Sequence, residues 1–494
     1  MIETHTAILL TMLVPALATV TNLLMRDREN LRDGTTFVAA VVTFILVLII
    51  HANTGGAQTD TNVLFTVMPG LTMAFNVEPL GLLFATIASG LWIVTHIFGI
   101  GYMRGNNEKK HARFFACFSF AIGSVMGIAF AANMFTLFIF YELLTLSTYP
   151  LVAHKETEEA KRGARTYLGI LIGTSIGLQL VAIIWTYHIA GTLDFKIGGI
   201  LDGNISGPLV AVLLALYAFG IGKAALMPFH RWLPAAMVAP TPVSALLHAV
   251  AVVKAGVFTM LKVGIYIFGI DFLAKTGSSE WLMWLAAFSI LAASIIAMTK
   301  DNLKARLAYS TVSQLSYITL GMALATSMGA LGGGLHIAMH AMGKITLFMC
   351  AGSIYVATHK TNISDMKGLG RAMPFTFIAF LIGAISIIGL PPLGGSWSKY
   401  LLMVGAADSG HKIMIAVLMI SSLLNIAYLL PLVGRGFFLP APGSTMATPV
   451  KMSEAPILVV LPPVFTAVGC IALFFYAGDI QEFLMPIVAK SSGG

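Results

Sequence analysis

The sequence predicts an all-α polytopic membrane protein of about fourteen transmembrane helices, and three observations predict it. Of 494 residues, 57% are hydrophobic and only 10% charged, with a mean hydropathy of +0.88. Soluble domains carry about 25% charged residues, and a chain with so little polar surface cannot cover itself in water. The apolar residues gather in fourteen runs, each near the roughly 20 residues that cross a bilayer. The basic residues alternate between the connections that join these runs.

Taken in order, the spans fall near residues 5–24, 35–52, 78–102, 113–131, 133–153, 165–190, 207–228, 241–264, 281–299, 307–326, 332–358, 374–404, 411–434 and 455–477. The first could be mistaken for a signal peptide because Ala16-Leu17-Ala18 resembles a cleavage site. No Lys or Arg precedes it, and Arg26, Arg28 and Arg32 follow, the reverse of a secretory signal, so it reads as a retained helix. Connections after odd-numbered spans hold 20 basic residues; those on the other side hold four, Lys196, Lys275, Lys412 and Lys490. A missed or invented span would scramble that alternation. The positive-inside rule therefore places both termini outside a bacterial inner membrane. The net charge of +8 belongs to these connections and reports topology, not nucleic-acid binding. Cys117, Cys350 and Cys470 each lie inside an apolar run and fit neither a disulfide framework nor a metal site.

Five basic residues remain inside spans: Lys223, Lys254, Lys262, Lys344 and Lys399. Of the 21 acids, Glu142 alone is well inside one, with Glu78 at the outer end of the third. A charge at mid-bilayer costs about 2.5–3.5 kcal/mol on insertion scales, so such groups face a protein interior or a wet path and mark function by default. Glu142 and Lys223 are expected to pair, lowering the cost of both charges and coupling their protonation; a static bridge fixing helix packing is the competing reading. His248 stands about 120° from Lys254 on an ideal helix, so the two share a face only if the helix is distorted. Lys262, near the outer surface, reads as snorkelling. His336, His340 and Lys344 follow at i, i+4 and i+8 on one helix face, spaced for proton relay through one or two waters. Interhelical hydrogen bonding is the bland alternative there. A metal would need a further ligand such as a carboxylate, and none is near in sequence, so no metal or cofactor is expected.

Two spans carry breaks. The seventh runs into Met227-Pro228 and on to Pro234; the twelfth contains Gly389-Leu-Pro391-Pro392-Leu-Gly-Gly395, shortly before Lys399. Proline interrupts the helical hydrogen bonding, and such breaks at membrane depth are tolerated where freed carbonyls line an enclosed path. Their placement five helices apart points to inverted repeats, helices 4–8 and 9–13. Within one membrane domain, 1–494, the division is then 1–110 for helices 1–3, 111–265 and 280–435 for the repeats, and 450–480 for helix 14.

At this point the chain resembles the antiporter-like subunits shared by respiratory complex I, membrane-bound hydrogenases and Mrp cation/proton antiporters. The resemblance is carried by Tyr141-Glu142-Leu-Leu-Thr-Leu, Gly222-Lys223-Ala-Ala-Leu-Met-Pro-Phe-His-Arg-Trp-Leu-Pro234, Ala239-Pro-Thr-Pro-Val-Ser-Ala-Leu-Leu-His248, Lys254-Ala-Gly-Val-Phe, Leu307-Ala-Tyr-Ser-Thr-Val-Ser-Gln314 and Pro391-Pro392 before Lys399. It looks most like the Mrp D subunit. The chain ends soon after helix 14, without the lateral helix of the complex I L-type subunit, and lysine stands at 399 where the M-type carries glutamate; the N-type also has lysine there.

The resemblance implies discontinuous helices 7 and 12, a Glu142–Lys223 pair, a connecting Lys254 and Lys399 as terminal site toward the outer side. It implies a proton-translocating subunit of a Na+/H+ antiporter, partnered by other membrane subunits in the lipid bilayer. A redox-driven pump subunit of complex I or a membrane hydrogenase is the alternative, its redox chemistry then belonging to partners. A scaffold, or an adaptor for inorganic-carbon uptake, is the third reading. Enzyme catalysis finds no nucleophile–base pair or phosphate loop to support it.

Overall fold

A computed structural model of the chain describes residues 2–443, 445–446 and 450–488; Lys490, counted above with the sparsely charged face, lies outside the described residues. The spans are α1 (Thr4–Leu24), α2 (Glu29–Thr54), α3 (Pro79–Gly105), α4 (His111–Ala129), α5 (Met134–Val152), α6 (Glu158–Ala190), α7 (Pro208–Gly220) and α8 (Val243–Phe268). They continue with α9 (Glu280–Thr299), α10 (Leu303–Ala323), α11 (Ser327–Thr358), α12a (Pro374–Ile388), α12b (Gly395–Asp408), α13 (Ile413–Phe438) and α14 (Ile457–Phe475). Each of the fourteen predicted spans corresponds to one of these helices or, for the twelfth, to a pair of pieces.

Among the described residues, 11 helices are long and apolar enough to cross a membrane by length and composition. The exceptions explain themselves. Pieces α7 and α12a are short because their spans are broken. α10 is long enough but carries Ser310, Thr311, Ser313, Gln314, Ser316 and Thr319, all fully buried. Its polar side chains serve the interior, so composition understates its depth.

Side-chain caps set several helix starts. Glu78 accepts from the Leu80 and Gly81 amides, Asn133 from Thr136, Thr157 from Ala160, Asn302 from Ala305 and Thr326 from Gly329, each satisfying an amide that a helix N-terminus leaves unpaired. α6 begins seven residues before its predicted span because Thr157 caps a polar first turn with Glu158 and Glu159 near its positive end. Hydropathy does not register that extension.

A two-stranded antiparallel hairpin, β1 (Asn62–Met68) and β2 (Leu71–Phe75), was not anticipated. Pro69-Gly70 forms its turn, with Gly70 at φ 75°. The hairpin docks on the start of α5: Asn133 Nδ2 donates to the Thr72 carbonyl at 2.9 Å and the Ala74 amide to Thr136 Oγ1 at 3.0 Å.

The centre of the bundle is α8, buried along its whole length, packed on α10 and α11. α8 is wound wider than an α-helix over Val243–Ala251 and Val263–Phe268. A short amphipathic helix, α15 (Ala477–Leu484), follows α14.

Candidate functional site

The first break comes earlier than Pro228 suggests. α7 ends at Gly220, and Lys223 sits in a tight turn, Gly222–Ala224, followed by Ala225 at φ 53°. The reason is close packing. A Cβ on Gly220 would lie 2.4 Å from the Gln179 amide nitrogen, and one on Gly256 of α8 would lie 2.2 Å from the Ala224 nitrogen. Neighbouring helices therefore reach the backbone of the break itself.

Lys223 is fully buried, and its ammonium does not meet Glu142. Nζ donates to the Tyr141 carbonyl at 2.7 Å and to Thr145 Oγ1 at 2.5 Å, lying 3.1 Å from the centre of the Tyr141 ring. Its backbone amide donates to Tyr141 Oη at 3.1 Å, and Trp232 Nε1 donates to the Gly222 carbonyl at 2.9 Å. The expected Glu142–Lys223 pair is thus not in direct contact, although the Glu142 charge acts on the ammonium across the gap. The ammonium takes the neutral oxygens on either side of Glu142 along α5, while both Glu142 carboxylate oxygens are buried without a hydrogen-bond partner among the described residues.

The second break holds a second lysine. α12a ends at Ile388, Gly389 turns the chain at φ 86°, and Lys399 lies in the second turn of α12b. Lys399 Nζ donates to the Ile388 carbonyl at 2.8 Å and to Ser422 Oγ at 2.9 Å, and sits 5.0 Å from the Tyr317 ring centre. The break frees a carbonyl and the lysine uses it. Gly389 is required, since a Cβ there would lie 2.6 Å from Lys399 Cδ.

Between the breaks the buried groups form a line. Lys254 Nζ is hydrogen-bonded to His340 Nδ1. The His340 ring lies 5.6 Å from that of His336, which stacks on Tyr317 at 5.4 Å. His336 Nδ1 bonds Ser398 Oγ at 2.9 Å, next to Lys399. Nε2 of both histidines has no partner among the described residues. Lys344, on the same helix face, turns aside to Ser310 Oγ at 2.5 Å, which is joined to Tyr428 Oη at 2.7 Å and through it to Asn425. His248 does not join Lys254 despite the distorted helix. It lies between Tyr167 and Trp232, ring centres 6.2 and 6.0 Å away, with both nitrogens unpartnered among the described residues.

Lys262 does not snorkel. It is fully buried and ion-paired to Glu78 Oε1 at 3.0 Å. Glu78 also accepts from the amides of Gly81 at 2.6 Å and Leu80 at 3.0 Å, and from Tyr266 Oη at 2.7 Å. With its carboxylate held by three hydrogen-bond donors and the ammonium, this pair anchors the start of α3 to α8.

Sequence reasoning missed the oxygen partners Thr145, Ser310, Ser398, Ser422 and Tyr428. The hydroxyl-rich stretch of α10 was the available signal for Ser310; nothing local marked the other four.

The fold and this line of groups define a class: a many-spanning membrane protein whose broken helices surround a chain of buried lysines and histidines. The family model described as NADH:quinone oxidoreductase/Mrp antiporter, TM, matches residues 131–425, and the chain belongs to this family of antiporter-like membrane subunits. It is 31% identical over 413 residues to NADH-quinone oxidoreductase subunit N of Desulforudis audaxviator, covering 80% of this chain and 81% of that protein. It is 31% identical over 399 residues to NADH-quinone oxidoreductase subunit L of Escherichia coli, spanning 62% of that longer protein and 78% of its own length. Among solved structures, a chain of the Mrp complex from Dietzia sp. DQ12-45-1b shares the fold with a TM-score of 0.85 at 20% identity, over 98% of this chain and 97% of that one.

Proposed function

We propose that this chain is the proton-translocating subunit of a multisubunit Na+/H+ antiporter of the Mrp type, in the D-subunit position. The observation that carries this is the buried line Lys254–His340–His336, with the Tyr317 ring stacked on His336 and facing Lys399. A neutral imidazole binds a proton on one nitrogen and releases one from the other, so two stacked histidines between two lysines make a transfer chain in which no lysine travels. Lys399, at the second break, is the terminal site. Lys344 and its Ser310–Tyr428 branch form a side reservoir. Glu142 and Lys223 gate the first half, the ammonium leaving its Tyr141 and Thr145 oxygens to meet the carboxylate when the proton load changes. His248 serves the approach to Lys254. The two sets of five spans around the breaks, 111–265 and 280–435, act as inverted repeats.

The positive-inside rule supports a bacterial cytoplasmic membrane with the basic connections inside and both termini outside. The partners are other membrane subunits of the assembly. The match over 81% of a NADH-quinone oxidoreductase subunit N favours a second reading, a proton-pumping subunit of a redox-driven complex.

The experiment is proton movement in vesicles holding the whole assembly. The antiporter reading expects a sodium gradient alone to drive it, with loss in Lys254→Met and Lys399→Met. Proton movement that ignores sodium and requires an electron donor would replace it with the second reading.

A further inference from the structure

A cavity of about 680 Å³ opens between α2, α3, α11 and α14, away from the lysine–histidine line. It runs along α3 from Leu82 to Val94, thirteen residues that span about 18 Å of helix. Its walls are apolar, with Phe44, Ile87, Met342 and Phe465 on the four helices. The Thr86 hydroxyl in the wall is already spent on the Leu82 carbonyl at 2.7 Å. At about 30 Å³ per small group, the share of one water in the liquid, the slot holds on the order of 20 methylenes. That is one acyl chain.

The mouth differs from the walls. His51 and Asp479 line it, both exposed, at the face opposite the basic connections. α15 folds over this end and sets Phe483 edge-on to His51, ring centres 5.3 Å apart. Asp479 takes part in no ion pair among the described residues. An acyl chain gains little hydrophobic energy by leaving other acyl chains for an apolar slot, so selectivity must come from the mouth. A carboxylate and an imidazole lining one mouth complement a head that presents an ammonium and a phosphate. A purely anionic head meets the carboxylate with like charge.

We propose that this slot is a binding site for one amine-headed zwitterionic glycerophospholipid. Its chain lies along α3 and its ammonium meets Asp479, with His51 donating to the phosphate. The deep end of the chain reaches Ala338 and Met342, which flank His340 along α11, so the lipid closes the bilayer side of the helix that carries the relay.

The test is native mass spectrometry of the intact assembly, delipidated in detergent and incubated with palmitoyl-oleoyl phosphatidylethanolamine or the matching phosphatidylglycerol. The wild type should retain one phosphatidylethanolamine per chain and prefer it by about fivefold, the equivalent of about 1 kcal/mol. Thr86→Trp, which fills the slot, should lose retention. Asp479→Lys, a change at an exposed side chain, should reverse the preference. Wild type that holds neither lipid or does not distinguish them, undiminished retention in Thr86→Trp, or a Thr86→Cys cross-link that captures a partner helix would overturn the proposal.

Discussion

Replacing Lys262 with Met leaves Glu78 as a buried carboxylate with no positive partner. The ammonium at 3.0 Å is the one full charge on Glu78; the other donors are two amides and a phenol. Removing one partner of a buried pair costs about 3–5 kcal/mol, because the remaining charge is uncompensated. The double variant Lys262→Met/Glu78→Gln should recover most of that loss, since the glutamine oxygen still accepts an amide of the α3 cap and no charge is left unpaired. A double-mutant cycle on the purified protein, read by thermal or denaturant unfolding in a fixed detergent, measures the coupling. Coupling above about 2 kcal/mol is expected. Additive losses, or a Lys262→Met cost below about 1 kcal/mol, would refute the claim that this pair anchors α3 to α8.

Three further outcomes follow from the same geometry. Tyr141→Phe strips the Lys223 amide of its acceptor, leaving a buried donor unpaired at a cost of about 1–3 kcal/mol, measurable as lowered unfolding stability. Gly389→Ala forces a left-handed residue, about 1–2 kcal/mol, and drives a methyl into Lys399; proton flux should fall further than stability does. On the basic face, burial and then the nearby Arg113 push His154 down to about 4. The unfolded chain therefore binds the extra proton first, and stability should decline as pH falls from about 6.5 toward 4, by up to about 3 kcal/mol. His154→Gln should flatten that slope. Glu156, held down to about 2 by hydrogen bonds from Lys110 and then Arg113, adds a decline of the same sign only as the pH nears the ordinary carboxylate value of 4.5, so the upper part of the slope belongs to His154.

The helix count was legible because twenty-residue apolar runs and alternating basic connections are properties of the chain itself. What escaped was decided by contacts distant in sequence. Pro228 marks a break, but Gly220 and Gly256 set its position, through backbone approaches no local pattern encodes. Lys262 sits near the end of an apolar run and reads as interfacial; its partner Glu78 is 184 residues away. Opposite charges suggested that Glu142 and Lys223 meet, yet the Tyr141 carbonyl and Thr145 hydroxyl hold the ammonium instead. The i, i+4 spacing did place His336 and His340 together, because that is helix geometry; Lys254 on another helix could be brought to His340 only by the fold. The hairpin was missed although Pro69-Gly70 between apolar segments is a turn signal.

Proton flux through vesicles carrying the intact assembly with His340→Leu is the sharpest measurement of all. Among the described residues that side chain links Lys254 to His336, and a positioned transfer group is worth about 100-fold or more. A loss of at least that order is expected, with assembly and thermal stability preserved. Flux at the wild-type rate would mean that protons cross by another route.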